Sequence, residues 1–169
     1  MKVELFDEDG VIAIVNADRY RGFVDNDWSL NQLLDHFVNE MICENLIVWQ
    51  SNNIGGGDWK IEILVTPSER KSFREFEQTI NVTDGELYLA SYTDLTMAAQ
   101  FEDEVIPSKE NANLKCKLAN GKYLVIVRQM FHPESCENEE SDETDFEIIL
   151  KPVIDHIVTK VDAVYWWNY

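Results

Sequence analysis

The clearest periodic pattern in the chain is an amphipathic helix near the N-terminus. In the stretch SLNQLLDHFVNEMICE, apolar residues recur every three or four positions and fall on one face. Ser29 and Gln32 have the spacing of a capping box, and Asp27 is an alternative cap just upstream. The pattern predicts a helix over residues 29–44 whose apolar face packs against a sheet.

Elsewhere the hydrophobic pattern changes to a period of two, which is typical of strands. In the segment beginning at Trp59, the side chains of Trp59, Ile61 and Ile63 point one way, whereas Lys60 and Glu62 point the other. The same reasoning predicts short strands at 3–6, 11–15, 46–49, 59–65, 80–82, 87–90, 114–118, 122–129 and 146–150.

Glycine turns separate several of these strands. Gly10 follows an Asp between the first two strands, Gly85 follows Asp84, and Gly121 follows Asn120. Asp-Gly and Asn-Gly between alternating runs favour two-residue β-hairpin turns. We therefore expect three antiparallel hairpins along the chain.

These elements together define a fold class. Many short strands, three hairpin turns and one strong helix predict a mainly β protein, a β-sandwich of antiparallel hairpins with one packed amphipathic helix. The alternative is an α+β fold with a single antiparallel sheet under the helix. On length, we expect residues 1–169 to form a single β-rich domain with an acidic loop at 133–146.

The net charge of the chain narrows the class of binding partner. The chain has 14 basic and 32 acidic residues and a net charge of −18. Eight of the carboxylates lie between Glu134 and Glu147, and without them the charge is still −10. A surface of this sign repels phosphate backbones and anionic lipids, which argues against nucleic-acid and membrane partners. It attracts a basic protein, and salt weakens that attraction.

The acidic stretch has two interpretations. It is a solvated loop that protects a sheet edge, or it is a docking surface for a basic protein. The negative charge on the rest of the chain favours docking. For the C-terminal aromatics we expect core packing first and a homodimer contact second. The predicted partner-binding residues are Glu137, Glu139, Glu140, Asp142, Glu143, Asp145 and, as an aromatic anchor, Trp166.

No motif for catalysis stands out. The chain has no G-x-S-x-G elbow. His132 and Cys136 are four residues apart, but Pro133 disfavours a helix there and the nearby carboxylates raise the pKa of the thiol. The glycines of SNNIGGG lead into Asp58 and a strand rather than into the Gly-Lys-Ser/Thr and helix of a phosphate loop. We predict a protein that is not an enzyme and uses no cofactor or metal.

The cysteines and the N-terminus indicate a compartment. Cys43, Cys116 and Cys136 form an odd, sparse set that fits free thiols in a reducing environment. The first residues contain no apolar signal-peptide core, and no apolar run has the length of a membrane span. We expect a cytoplasmic protein.

A family resemblance adds to this interpretation. The stretch SERKSFREFEQTINVTDGELYLASYT contains a polar run, a strand, a glycine turn and a small-Ser pair, and KLANGKYLVIVRQ continues as a strand after a glycine turn. In this order of elements, residues 58–130 resemble the competence-protein-J-like bacterial nuclease inhibitors, which are small acidic β-sandwich proteins. The resemblance assigns no residue roles. It implies a non-enzymatic protein that binds and silences a nuclease, such as an immunity protein for a nuclease-type toxin.

Two other functions compete with this one. The first is a structural or assembly subunit that oligomerises through the C-terminal aromatics. The second is a small-ligand-binding module or enzyme that uses the GGGDW loop. A deep pocket beside Trp59, lined by paired carboxylates, would favour the latter.

Overall fold

A computed structural model describes residues 1–52, 55–133, 143–154 and 160–167 of the chain. These residues form nine strands and two helices, so the protein is mixed α and β with a majority of strands. In chain order the elements are β1 (Lys2–Asp7), β2 (Val11–Val15), α1 (Leu30–Ile42), β3 (Leu46–Gln50), β4 (Gly57–Leu64), β5 (Arg74–Val82), β6 (Glu86–Ser91), α2 (Tyr92–Gln100), β7 (Lys115–Lys117), β8 (Gly121–Gln129) and β9 (Phe146–Pro152).

The strands form two sheets. The five-stranded sheet has the order β1-β4-β9-β8-β5, and the four-stranded sheet has the order β3-β2-β6-β7. The alternative of a single sheet is therefore wrong. Within the five-stranded sheet, β4 and β9 pair in parallel, whereas the other pairs are antiparallel. The parallel pair departs from the all-antiparallel prediction, because β9 lies between β8, to which it is antiparallel, and β4, which runs in the same direction as β9.

Two hydrophobic clusters hold the layers together. One cluster contains residues of both sheets, including Leu5, Trp49 and Phe146. The other lies between the four-stranded sheet and the helices, and it includes Phe37 of α1 and Leu95 of α2. Every residue of β2 and β3 is buried, since both faces of these strands are covered.

The helix predicted at residues 29–44 is confirmed. Ser29 is the N-cap of α1 and forms both halves of a capping box with Gln32. A second helix corrects the prediction of a single one. In α2, Ser91 and Asp94 form another capping box, and the carboxylate of Asp94 accepts hydrogen bonds from both the backbone and the hydroxyl of Ser91. This helix is short, and its weak apolar periodicity conceals it in the sequence.

The three predicted hairpins are also wrong, although their turns exist. Gly10, Gly85 and Gly121 adopt φ values of +74°, +85° and +150°. The strands that flank each turn nevertheless belong to opposite sheets: β1 and β2, β5 and β6, and β7 and β8. Each connection is therefore an arch whose two strands face each other across the shared core. The left-handed glycine reverses the chain but does not choose the hydrogen-bonding partner.

Candidate functional site

The described end of the acidic stretch lies at the start of β9. Glu143 is exposed there and Thr144 is buried. The hydroxyl of Thr144 donates to a carboxylate oxygen of Glu62 at 3.3 Å. Four of the predicted binding residues, Glu137, Glu139, Glu140 and Asp142, lie outside the described residues.

Asp145 joins β9 to its neighbour β4. Its carboxylate accepts a hydrogen bond from the backbone N–H of Lys60 at 2.8 Å, and its own N–H donates to the Lys60 carbonyl at 2.8 Å. Burial raises the pKa of Asp145, and the interactions with Lys60 offset part of that shift. The carboxylate thus has a structural partner in addition to its predicted binding role.

Glu147 lies two residues further on and is fully buried. It pairs with the guanidinium groups of Arg128 and Arg70, the latter at 3.3 Å. Burial alone would raise the pKa of Glu147, but hydrogen bonds from Ser68 and the two arginines hold that pKa below its ordinary value. The last carboxylate of the stretch is therefore part of the folded body and not of the exposed surface.

Arg128 extends this ion-pair cluster to the connection between β4 and β5. Its guanidinium donates to the carbonyls of Ser68 and Arg70 and also pairs with Glu75 at 3.3 Å. Buried cations need such partners, because an unpaired buried charge is strongly destabilising. The cluster fixes the connection against the outer face of the five-stranded sheet, close to the point where the acidic stretch joins β9.

A shallow groove of about 600 Å³ lies beside the same point. It lies over β1 and β4 and is lined by Lys2, Val3, Glu4, Lys60, Ile61 and Thr144. Its charged side chains carry both signs, and β1 is the edge strand of its sheet. An open groove lined by charges of both signs suits a protein surface better than a buried small molecule.

Trp166 lies against the side chains of two residues of β5, Arg74 and Phe76. The guanidinium of Arg74 sits 4.0 Å from the centre of its indole, and the ring of Phe76 meets it edge-on at 4.9 Å. Tyr165 stacks on Phe76 with ring centres 3.8 Å apart. Tyr165 also bridges to Trp49 and accepts a hydrogen bond from Gln50 N–H. The C-terminal segment thereby extends the edge of β3, and Trp166 stays partly exposed.

The Arg74 guanidinium that contacts Trp166 is itself held in place by hydrogen bonds. It donates to the side-chain oxygen of Gln129 at 2.6 Å and to the carbonyls of Gln50 and Ser51 at 2.9 and 3.3 Å. Within the described ranges no carboxylate pairs with it, and burial lowers its pKa to about 10. The cation–π contact fixes the indole as a rigid, partly exposed aromatic surface.

The glycine-rich loop has a packing role. A Cβ on Gly56 would lie 1.5 Å from the Asp7 carbonyl, and one on Gly10 would lie 2.5 Å from the Asn52 carbonyl. Asp7 is buried and accepts hydrogen bonds from the backbone of Val11 and Tyr92. The glycines allow two loops to touch through their backbones. Trp59, beside this loop, is buried against Phe146 rather than lining an open pocket.

Other chemistry finds little support in the described part of the chain. No three His, Cys, Asp or Glu residues there are grouped to hold a metal ion. No helix among these residues has the length and apolarity needed to cross a membrane. Cys43 and Cys116 are free thiols, and burial raises the pKa of Cys116. Cys136 lies outside the described residues.

Comparison with known proteins defines the fold but not the function. No protein-family model matches the chain, and no curated protein matches its sequence. Two solved structures share its fold. The first is described as crocagin biosynthetic gene J, with a TM-score of 0.58, 17% identity and coverage of 89% of this chain and 95% of that chain.

The second is ComJ from Bacillus subtilis, described as an inhibitor of the DNA-degrading activity of NucA. The TM-score is 0.51 at 13% identity, and the match covers 90% of this chain and 96% of ComJ. The resemblance predicted from residues 58–130 is thus confirmed at the level of the fold. It extends further than predicted, since it spans most of both chains.

Proposed function

We propose that this chain is a non-catalytic inhibitor of the immunity type, which neutralises a basic, nuclease-type bacterial protein by electrostatic capture. The observation that carries the proposal is the excess of 32 acidic over 14 basic residues on a fold shared with a nuclease inhibitor. A protein that cleaves DNA must attract phosphates, so its cleft is cationic. An acidic protein competes for the same cleft.

The proposed capture surface centres on the acidic stretch and the groove beside it. In this proposal Glu143 and the carboxylates that precede it approach the cationic cleft first, and their field accelerates the encounter. The groove over β1 and β4 receives the adjoining part of the partner. Trp166 contributes an aromatic anchor that Arg74 has already oriented, so little side-chain entropy is lost on binding.

The experiment measures association with a panel of purified nucleases that includes NucA, at several salt concentrations. The first variant carries Glu137→Gln, Glu139→Gln, Glu140→Gln, Asp142→Asn, Glu143→Gln and Asp145→Asn. We expect its association rate to fall about tenfold or more at low salt, with a flatter salt dependence. An unchanged rate and slope would refute the capture role of these residues.

A matched control separates local from global charge. It neutralises six exposed carboxylates that lie outside the acidic stretch and do not line the groove, namely Glu8, Asp35, Glu69, Glu77, Asp84 and Glu110. Both variants have the same net charge. If electrostatic capture is local to the acidic stretch, the control retains most of the wild-type rate. Equal losses in the two variants would mean that only total charge matters.

A further inference from the structure

A second surface combines exposed apolar side chains with carboxylates at the end of α2. Phe23, Met97 and Phe101 are each 40% exposed, and Val105 is 68% exposed. We call these four residues the α2-end surface. Large apolar side chains that are exposed singly need no explanation, but a group of them is characteristic of an interaction site.

Backbone contacts bring the two segments of this surface together. The N–H groups of Val24 and Asp25 donate to the Ala99 carbonyl at 2.9 and 3.2 Å. The side chain of Gln100 donates to the Asn26 carbonyl at 3.4 Å. Gly22 lies so close to α2 that a Cβ there would be 2.7 Å from the Cβ of Ala98. The segment 22–26 therefore lies directly against the last turn of the helix.

The surface has a firm support underneath. Leu95, Ala98 and Ala99 of α2 are buried in the cluster between the helices and the four-stranded sheet. Met97 and Phe101 are one turn apart, and the N–H of Phe101 donates to the Met97 carbonyl at 3.0 Å. Ile106 is buried in the same cluster and fixes the chain beyond the helix. The exposed side chains are thus presented by well-packed backbone.

Exposed carboxylates adjoin this apolar group on both of its segments. Glu102, Asp103 and Glu104 follow the helix directly and are exposed, and Asp25 and Asp27 are exposed on the facing segment. The basic residues of the neighbouring segments are Arg19, Arg21 and Lys109. Arg19 pairs with Asp18, and Arg21 donates to two backbone carbonyls. Because the five carboxylates outnumber these three basic residues, the net charge around the α2-end surface is negative.

We propose that the α2-end surface is a docking site for a basic protein. An apolar side chain of the partner packs among Phe23, Met97 and Phe101, while its Lys or Arg residues pair with the surrounding carboxylates. An apolar centre with a charged rim is the usual anatomy of a protein interface. The inference rests on the proposed function, because it assigns a second contact region to the same nuclease-type partner.

The sign of the charge selects this occupant over others. A second copy of the chain would bring two acidic rims together, on molecules that each carry a net charge of −18. Anionic lipid surfaces and nucleic acids are repelled by the same carboxylates. Of these occupants, only a cationic protein gains binding energy from both the apolar centre and the acidic rim.

The test uses the full chain and the same panel of purified nucleases. One variant carries Met97→Ser and Phe101→Ser, and we expect it to dissociate about tenfold faster or more, with little change in the association rate. A second carries Glu102→Gln, Asp103→Asn and Glu104→Gln, and we expect slower association and a flatter salt dependence. Phe23→Ser gives an independent measurement from the facing segment.

Controls and outcomes are defined as follows. Ile42→Ser and Val65→Ser remove apolar groups that are 60% and 79% exposed elsewhere, and they should leave binding unchanged. Circular dichroism checks that each variant is folded. If wild type inhibits the nuclease but all three surface variants bind within twofold of it, the docking inference is wrong and the proposed function stands.

Two further outcomes overturn the inference. If wild type does not bind the nuclease at all, the proposed function and the docking site fail together. If sedimentation shows that the isolated wild-type chain is a dimer and that Met97→Ser with Phe101→Ser makes it a monomer, the surface contacts a second copy instead.

Discussion

Two acidic stretches of the chain resemble each other in sequence and differ in structure. Residues 134–147 contain eight carboxylates, and their described end enters a strand that lies in the middle of the five-stranded sheet. There Glu147 is fully buried against Arg128, and Asp145 accepts the N–H of Lys60. Residues 102–104 follow a surface helix, and all three carboxylates are exposed. Formal charge is thus not the same as charge available to a partner.

The neighbouring elements explain this difference. A residue in a central strand has backbone on both sides, so its carboxylate meets N–H groups and cations of adjacent strands. Glu147 lies between β4 and β8, and its partner Arg128 is directly opposite it in the register of β8 and β9. Carboxylates beyond the end of a helix have no such neighbours and remain hydrated. The fold therefore uses some charges of a run for its own stability and leaves others for binding.

The largest effect on stability that we expect comes from replacing Glu147, and it would sharpen the comparison of the two acidic stretches. In Glu147→Gln the buried guanidinium of Arg128 loses its buried charged partner and keeps only the exposed Glu75, and we expect a destabilisation of about 3–5 kcal/mol. Urea unfolding followed by circular dichroism measures it. The comparison breaks down if the variant unfolds at the same urea concentration as wild type.

Two controls accompany this measurement. Glu143→Gln removes an exposed carboxylate of the same run and should change stability by less than about 0.5 kcal/mol. Replacing both Arg128 and Glu147 by Met removes the pair together, and we expect it to recover much of the loss, because no buried charge is left without a partner.

Replacement of Asp145 is expected to have a smaller effect on stability than replacement of Glu147, and one of the opposite sign. Burial raises the pKa of Asp145 in the folded protein, whereas hydrogen bonds from Ser68 and contacts with the two arginines lower the pKa of Glu147. A raised pKa means that ionisation of Asp145 opposes folding at neutral pH, and this penalty disappears as the pH falls through the raised pKa toward the unfolded value of about 3.9. Asp145→Asn should therefore be as stable as wild type at pH 7, or more stable by up to about 1 kcal/mol.

The free energy of unfolding of wild type, Glu147→Gln and Asp145→Asn, measured between pH 7 and pH 3, tests the two opposite pKa shifts. The contribution of Glu147 is present above its unfolded pKa of about 4.3 and is lost as the pH falls through the lower folded value. The deficit of Glu147→Gln should therefore shrink in acid. Any advantage of Asp145→Asn should shrink as well. A stability advantage of Asp145→Asn that grows as the pH falls would contradict the raised pKa of Asp145.

The sequence predicted the local elements better than their pairing. The capping box of Ser29 and the apolar stripe that follows it defined α1, because both signals lie within one helix. The strand positions followed from alternation. The partners of those strands could not be predicted, since an Asp-Gly or Asn-Gly turn looks the same whether the next strand stays in its sheet or crosses to the other.

Side chains that act across the sheet were also missed. Arg128 follows five apolar residues in KYLVIVRQ, and Glu147 is the lone charge in FEIIL, but they are 19 residues apart in the chain. Only the register of β8 and β9 brings them together. The α2-end surface was missed for a similar reason, because Phe23 and Phe101 belong to separate segments that the helix packing unites.

The most direct test of the proposed function is the degradation of DNA by each nuclease of the panel, measured while the purified protein is added stepwise. We expect cleavage to fall linearly and to stop near one molecule of this chain per nuclease, with the inhibition relieved at high salt. The protein without the nuclease should leave the DNA uncleaved. Undiminished cleavage at a large excess of the protein would contradict the account.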